Sequence, residues 1–180
     1  MPGPELVRLN AENLQERFRP GVPMPTIEDV ERYLAPRGLQ VLRFAAPTPT
    51  VETAAAAVGC APAEIAKSML LMVGGRPLLV VACGDARVKS SKLKQAVGLS
   101  GKVSFPGPEE VRRHTGYAPG GVCPFLLPNE LPVLLDLSLR RFSRIYPAAG
   151  DDHSAVATSG EQLAELTGGR FAEVCDCAQP

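Results

Sequence analysis

The sequence predicts an α+β fold in which short strands, some of them joined by hairpins, are flanked by helices. Two apolar runs, 65–73 and 77–83, are separated by Gly74, Gly75 and Arg76, which is a hairpin signal. The strands follow one another without the long regular crossovers that a doubly wound sheet requires. At 180 residues, with 45% hydrophobic and 21% charged residues, the chain has the size and composition of one compact domain.

A proline-rich stretch near the N-terminus divides the chain. Before it, Glu5 to Phe18 places apolar residues on one helical stripe, which residues 20–25 interrupt. We therefore expect an N-terminal helical arm over 1–25 and a main domain over 26–180. The arm carries charged residues throughout, so it is not a secretory signal, and we expect a cytoplasmic protein.

Capping residues mark the ends of the elements in the main domain. Helices that follow the caps Thr26, Thr50 and Ser91, or begin at Pro108, and that end before a glycine are predicted over 27–37, 51–58, 92–97 and 108–115. Weaker strands are predicted over 40–45, 131–137, 143–146 and 154–158. Ser159 and Gln162 form the signature of a capping box, which starts a last helix at Gly160.

A lysine lies inside one of the apolar strands. The run Ile65–Val73 is apolar on both alternating faces, which is typical of a strand buried on two sides, yet it contains Lys67. An isolated buried ammonium is costly or shifts toward its neutral form, so it needs an anion, a polar pocket or a ligand. Lys67 is therefore the first candidate site residue.

Two further candidates follow along the chain. The loop 116–125 contains adjacent Gly120 and Gly121, which permit positive φ angles and let backbone amides approach a ligand, as in a cradle for an oxyanion or a carboxyl ester. Asp136 is a carboxylate in another apolar run. A buried ion pair between Lys67 and Asp136 that serves only the fold is the structural alternative.

Charge and cysteine content exclude several classes of protein. The net charge is zero, although basic residues cluster at two places, at 87–102 and 140–144, where they could meet phosphates or form a solvated face. Five cysteines without a Cys-x-x-Cys pair indicate neither a disulfide framework nor a four-ligand zinc site. We find no cofactor motif and no metal cluster, and no apolar run of about 18 residues that would span a membrane.

Taken together, several segments resemble the YbaK/ProRS-associated domain family. The resemblance rests on the run from Thr53 through Lys67 and Ser68, the loop Pro119–Phe125, the strand that ends in Asp136, and the leucine-containing helix near the C-terminus. It implies a mixed, barrel-like sheet with helices packed outside. It also implies hydrolysis of mischarged aminoacyl-tRNA, many members of the family acting on tRNA for proline. The implied partners are the 3′ aminoacyl end of tRNA and a prolyl-tRNA synthetase.

The resemblance gives each candidate residue a role. Lys67, which matches the functionally required lysine of the family, would be the electrostatic clamp on the ester, with Gly120 and Gly121 as the backbone cradle. The substrate-binding candidates are Thr53, Ser68, Tyr117, Phe125, Asp136 and His153. Thr53 and Ser68 could instead cap a helix or fill space in the core. Tyr117 and Phe125 could stack on the terminal adenine or anchor the loop in the core.

Two features of the sequence leave the exact activity open. Residues 146–153 differ from the turns of bacterial relatives, so the amino acid that is removed is not specified. With two histidines and no Gly-x-Ser-x-Gly elbow, a Ser-His-Asp hydrolase is not expected. A module that binds aminoacyl-tRNA or a nucleotide without hydrolysis, and an interaction protein that works through its N-terminal arm, are the alternatives.

Overall fold

The computed structural model describes residues 24–127 and 131–177, and within them the predicted α+β class is confirmed. The helices are α1 (Ile27–Leu34), α2 (Val51–Val58), α3 (Ser90–Val97), α4 (Pro108–Thr115) and α5 (Gly160–Thr167). The helix predicted over 5–18, and with it nearly all of the N-terminal arm, lies outside the described residues. No helix in the described ranges has the length and apolar character needed to cross a membrane.

Ten strands accompany these helices in the described residues. They are β1 (Val41–Arg43), β2 (Ile65–Val73), β3 (Arg76–Cys83), β4 (Ala86–Val88), β5 (Val103–Ser104), β6 (Val133–Asp136), β7 (Tyr146–Pro147), β8 (Ser154–Val156), β9 (Arg170–Ala172) and β10 (Cys175–Cys177). The long strands and the hairpin between β2 and β3 lie where the sequence predicts them. The strands that the sequence analysis missed are two or three residues long, too short to show a hydrophobic period.

Six strands form the main sheet, in the order β5-β2-β3-β6-β9, with β7 beside β2. The hairpin strands β2 and β3 are antiparallel, whereas β3, β6 and β9 are parallel. The strands β1 and β8 form a small separate sheet, as do β4 and β10. The barrel-like sheet that the resemblance implies is therefore not found among the described strands, because the main sheet stays open between β5 and β9.

The hydrophobic core lies around the β2–β3 hairpin. From Leu79 to Cys83 every residue of β3 is 0% exposed, and Leu71 of β2 is equally buried. Helices α3 and α5 each contribute one fully buried leucine, Leu93 and Leu163. Burying such a side chain contributes about 1.5–3 kcal/mol, so the apolar runs that predict these strands also account for their central position.

Several boundaries differ from the prediction, among them those of α3 and β7. Ser91 is not the cap of α3, since the N-cap is Lys89, without a side-chain hydrogen bond. The strand predicted over 143–146 is reduced to β7, which pairs in parallel with Ile65 and Ala66 at the start of β2. Because β7 and β5 pair only with the two ends of β2, residues 67–71 have no neighbouring strand on the side opposite β3 within the described part of the chain.

Candidate active site

Lys67 is half-buried near the start of β2, and its ammonium group is held by two backbone carbonyls. Nζ donates to the oxygen of Gly84 at 3.0 Å and to the oxygen of Ala86 at 2.5 Å. An ammonium carries three N–H donors, so one of them remains for a ligand. Burial lowers the pKa of Lys67 from its usual 10.5, while the carbonyl dipoles favour the charged form.

The turn that provides these carbonyls is packed so tightly that it requires glycine. A Cβ on Gly84 would lie 2.1 Å from the carbonyl oxygen of Pro62 and 2.5 Å from Cγ1 of Val51. The start of α2 and the short 3-10 turn at 62–64 thus press against the residue that binds Lys67. Gly84 was not a candidate in the sequence analysis, because only the long-range packing shows why it must be a glycine.

Asp85 lies between the two carbonyl residues, but its carboxylate is bound to Arg141. The Arg141 guanidinium donates from Nη1 to Oδ2 at 3.0 Å and from Nη2 to Oδ1, which is a bidentate contact. This hydrogen bonding lowers the pKa of Asp85. Neither residue was singled out from the sequence, since they are 56 positions apart.

Asp136 does not pair with Lys67, so the ion pair considered as the structural alternative is wrong. The carboxylate is 2% exposed, and its oxygens accept from three backbone amides, those of Ser138, Val174 and Cys175, each at 2.9 Å. These bonds tie the end of β6 to the start of β10. The structure therefore uses Asp136 to hold the backbone, and its role in substrate binding stays a prediction.

The glycine loop and the segment 146–153 are in contact. A Cβ on Gly121 would lie 2.7 Å from the Cα of Asp151, so the two backbones pass each other without room for a side chain. The Gly121 amide donates to the oxygen of Ala118 at 3.0 Å and closes a turn, whereas the Gly120 amide has no hydrogen-bond partner among the described residues. Gly120, with φ of 89°, is thus the member of the pair whose amide remains available.

The segment 146–153 begins beside the strand of Lys67. The chain passes from β7, which pairs with Ile65 and Ala66, to Asp151 within four residues. The glycine loop therefore contacts the segment that leads away from the start of β2.

Tyr117 and Phe125 anchor the loop in the core, which is the second of the two alternatives given for them. Each is 1% exposed. The Tyr117 hydroxyl donates to the backbone oxygen of Phe125 at 2.7 Å, and burial raises its pKa strongly. The edge of the Tyr117 ring also faces Gly150, where a Cβ would lie 3.2 Å from Cε1.

The remaining candidates have different surroundings. Thr53 is exposed and forms a capping box with Thr50 at the start of α2, which is the capping role considered for it. Ser68 has a buried hydroxyl oxygen without a hydrogen-bond partner in the described ranges. His153 is partly exposed; its Nδ1 lies 3.2 Å from the carbonyl oxygen of Phe44, and its Nε2 lies 3.5 Å from Asp152.

The basic clusters are partly neutralised by acidic residues from elsewhere in the chain. Lys89 and Lys92 pair with Asp176, and Lys92 also pairs with Glu173. Arg140 pairs with Glu161. The positive surface is therefore smaller than the sequence suggests. Within the described residues, no group of three His, Cys, Asp or Glu side chains is placed to hold a metal ion.

Comparison with known proteins places these features in a family context. The model of the family described as "Aminoacyl-tRNA editing domain" matches residues 45–166. The "Uncharacterized protein YwhH" of Bacillus subtilis is 38% identical over 128 residues, which are 71% of this chain and 80% of that protein. The proline--tRNA ligase of Bacillus licheniformis is 35% identical over 91 residues, which are 51% of this chain and 16% of the ligase.

A solved structure shares the fold. The crystal structure described as "a putative trans-editing enzyme for prolyl tRNA synthetase" superposes with a TM-score of 0.76 at 32% identity. The match covers 84% of this chain and 98% of that one. The matched family region includes Lys67, the turn at Gly84, the glycine loop and the segment 146–153.

Proposed function

This chain belongs to the aminoacyl-tRNA editing domain family, and from that membership we propose that it hydrolyses the ester bond of mischarged aminoacyl-tRNA. The names of its relatives favour tRNA for proline as the substrate, and we propose that the amino acid removed from it is small. They also make a prolyl-tRNA synthetase a candidate partner. Action in trans is supported by the structural neighbour, which the chain covers over 98% of its length, against 16% for the ligase.

The observation that carries the proposal is the Lys67 ammonium, held by two neutral carbonyls and left with one N–H. When water attacks the ester carbonyl, negative charge develops on the carbonyl oxygen. A cation in a partly buried site stabilises that charge more than it would in water. We assign this role to Lys67, with the Gly120 amide as a second donor.

The ester needs little further activation. Its leaving group is a ribose hydroxyl, so the reaction forms a bond between the water oxygen and the carbonyl carbon and breaks the bond to the ribose oxygen, which takes up a proton. The products are the free amino acid and uncharged tRNA. Placement of the reactants and charge stabilisation are then the main contributions of the protein.

The choice of amino acid is assigned to residues 146–153 because they lie against the glycine loop at Gly121. Exclusion by size discriminates by only about 1–3 kcal/mol per methylene group. We expect a site that selects by size to hydrolyse the esters of small amino acids and to leave the esters of larger ones intact.

The test is a deacylation assay with purified protein. Transfer RNA for proline is charged with alanine, serine, cysteine or proline, and loss of the ester is followed for wild type, Lys67→Ala and Lys89→Ala. We expect the wild type to cleave at least one of the mischarged species and to spare prolyl-tRNA. Lys67→Ala should lower the rate by about a hundredfold or more, as does removal of one oxyanion donor.

Lys89→Ala is the matched control, since Lys89 is exposed and already pairs with Asp176. It should keep the wild-type rate. If the wild type binds tRNA but does not cleave the ester, the proposed hydrolysis is contradicted, and a binding module is favoured instead. A large drop in melting temperature for Lys67→Ala, with full activity in the folded fraction, would contradict the role of Lys67.

A further inference from the structure

The residue between the two carbonyls that hold Lys67 is an aspartate, yet it does not pair with the lysine. Gly84 and Ala86 bind Nζ, and Asp85 lies between them in the chain. Both Asp85 oxygens are instead occupied by the Arg141 guanidinium. Without Arg141, the carboxylate would be the anion nearest in sequence to the groups that hold Lys67.

Arg141 is itself fixed by the turn that carries it. Its Nε donates to the oxygen of Ser138 at 3.2 Å. The Ser138 hydroxyl accepts from the Cys83 amide at 3.2 Å, and the Ser138 amide donates to Asp136 at 2.9 Å. A continuous set of hydrogen bonds therefore runs from the buried Asp136 to the guanidinium, and from there to the turn at Asp85.

An ion pair between Lys67 and Asp85 would harm the proposed chemistry in two ways. It would occupy the remaining N–H of the ammonium, and it would place a negative charge where the ester oxygen becomes negative. We propose that Arg141 is a positioning residue that holds the Asp85 carboxylate away from Lys67, so that the ammonium keeps one N–H donor for the substrate. The consequence for catalysis rests on the proposed function, whereas the geometry does not.

The charged and titratable groups around Lys67 agree with this arrangement. The thiol of Cys175, the carboxylate of Asp85 and the thiol of Cys83 raise the pKa of Lys67. The guanidinium of Arg87 lowers it. Burial raises the pKa of both thiols, to about 12 for Cys175, so they stay neutral near pH 7. Asp85 is therefore the nearby acid that could change the state of Lys67.

The first experiment measures Lys67 itself. The full-length chain is labelled briefly with acetic anhydride over a range of pH, and acetylation of Lys67 is quantified by mass spectrometry. In Arg141→Ala the freed carboxylate should pair with Lys67 and move the midpoint of its labelling upward by about one pH unit, the usual effect of an opposite charge at contact distance. Arg140→Ala is the control, because Arg140 lies on the same turn and pairs with Glu161.

The second experiment separates positioning from a merely structural ion pair. With a mischarged tRNA that the wild type cleaves, Arg141→Ala should lower kcat about tenfold and change KM little. Adding Asp85→Asn to Arg141→Ala removes the competing carboxylate, and it should restore both kcat and the labelling midpoint. Loss of a structural ion pair would not be repaired by this second substitution.

The outcomes are distinguishable. An unchanged labelling midpoint in Arg141→Ala, or a double variant without recovery, overturns the proposal. If no tRNA is deacylated, the proposed function fails, while the labelling experiment still decides whether Arg141 controls Lys67. Should Arg141→Ala not fold, Arg141→Gln, which keeps most of the side chain, is labelled instead, with the same expected shift and the same criterion for rejection.

Discussion

The backbone of Gly121 lies against the backbone of Asp151, so close that a Cβ on residue 121 would come within 2.7 Å of the Asp151 Cα. Asp151 is fixed in turn, because its Oδ1 accepts from the His153 amide at 3.0 Å and from the Ser154 hydroxyl at 2.6 Å. The glycine at 121 is thus needed for the fit between two segments, whereas Gly120 faces open space and needs glycine for its positive φ.

Replacing the two glycines should therefore have unequal effects. Gly120→Ala should lower the free energy of unfolding by about 1 kcal/mol, the cost of a side chain in the left-handed region. Gly121→Ala should cost about 2–3 kcal/mol, because one backbone must move away from the other. Urea denaturation of both variants measures the difference. Equal losses would contradict the close approach of Gly121 to Asp151.

The buried carboxylate of Asp136 makes a separate prediction. Asp136→Asn replaces one acceptor oxygen with an amide that faces a backbone N–H, so it should lower the free energy of unfolding by about 2 kcal/mol. Asp176→Asn, which affects only exposed ion pairs, should cost less than about 1 kcal/mol. We expect KM to be unchanged in the folded Asp136→Asn variant. A higher KM would indicate that Asp136 contacts the substrate.

The aromatic residues of the glycine loop are expected to act on stability alone. Phe125→Leu should lower the free energy of unfolding by about 1 kcal/mol and leave KM for aminoacyl-tRNA unchanged, because the ring is 1% exposed. Tyr117→Phe, which loses only the hydrogen bond to the Phe125 oxygen, should cost a similar amount. A tenfold rise of KM in Phe125→Leu would indicate base stacking after all.

The sequence was most informative where the signal is local. Caps and turn residues placed α2 at 51–58 and the hairpin at Gly74 and Gly75 correctly, and apolar residues on both alternating faces identified β2 as a strand. Short strands such as β9 and β10 form because distant segments pair with them, so their own residues carry little signal.

Candidate residues such as Lys67 could be chosen from the sequence, but their contacts could not. An unusual lysine in an apolar strand drew attention to Lys67, yet its partners are backbone carbonyls, which any sequence can supply. The same limit applies to Asp136, whose partners are amides, and to Arg141, which meets Asp85 only through folding. Similarly, the sequence places Lys89 and Lys92 in a basic cluster, but in the fold both pair with Asp176 of β10.

The cysteines should differ sharply in reactivity. Cys177 is exposed and Cys60 is half-buried, whereas Cys83, Cys123 and Cys175 are buried. At pH 8, a thiol reagent should label Cys177 first, then Cys60, and the other three only after unfolding. Peptide mapping by mass spectrometry gives the order, and rapid labelling of Cys123 in the folded protein would contradict its burial.

The buried thiols also predict how stability depends on pH. Burial raises the pKa of Cys123 from 9.0 to about 12, so the unfolded chain loses this proton at lower pH than the folded one. The stabilisation is complete below pH 9 and is lost as the pH rises toward 12. The free energy of unfolding should therefore fall above pH 9, and less steeply in Cys123→Ala. Parallel curves for the two proteins would contradict this assignment.

Ser68 provides a test of the substrate site that is independent of charge. Its buried hydroxyl oxygen has no partner in the part of the chain that the structure describes, which costs stability and leaves the group available to a ligand. Strand alternation puts Ser68 and Lys67 on opposite faces of β2, and among the described strands none pairs with residues 67–71 on the side opposite β3.

We therefore expect Ser68→Ala to keep or slightly raise the free energy of unfolding, while KM for the mischarged tRNA rises about tenfold, the value of one lost hydrogen bond to a ligand. Ser138→Ala is the contrasting variant, because the Ser138 hydroxyl accepts from the Cys83 amide and its loss should cost about 1 kcal/mol of stability. Urea denaturation and steady-state kinetics on both variants distinguish the two roles. Stabilisation of Ser68→Ala with unchanged kcat/KM would remove Ser68 from the site and leave Lys67 and the Gly120 amide as its remaining donors.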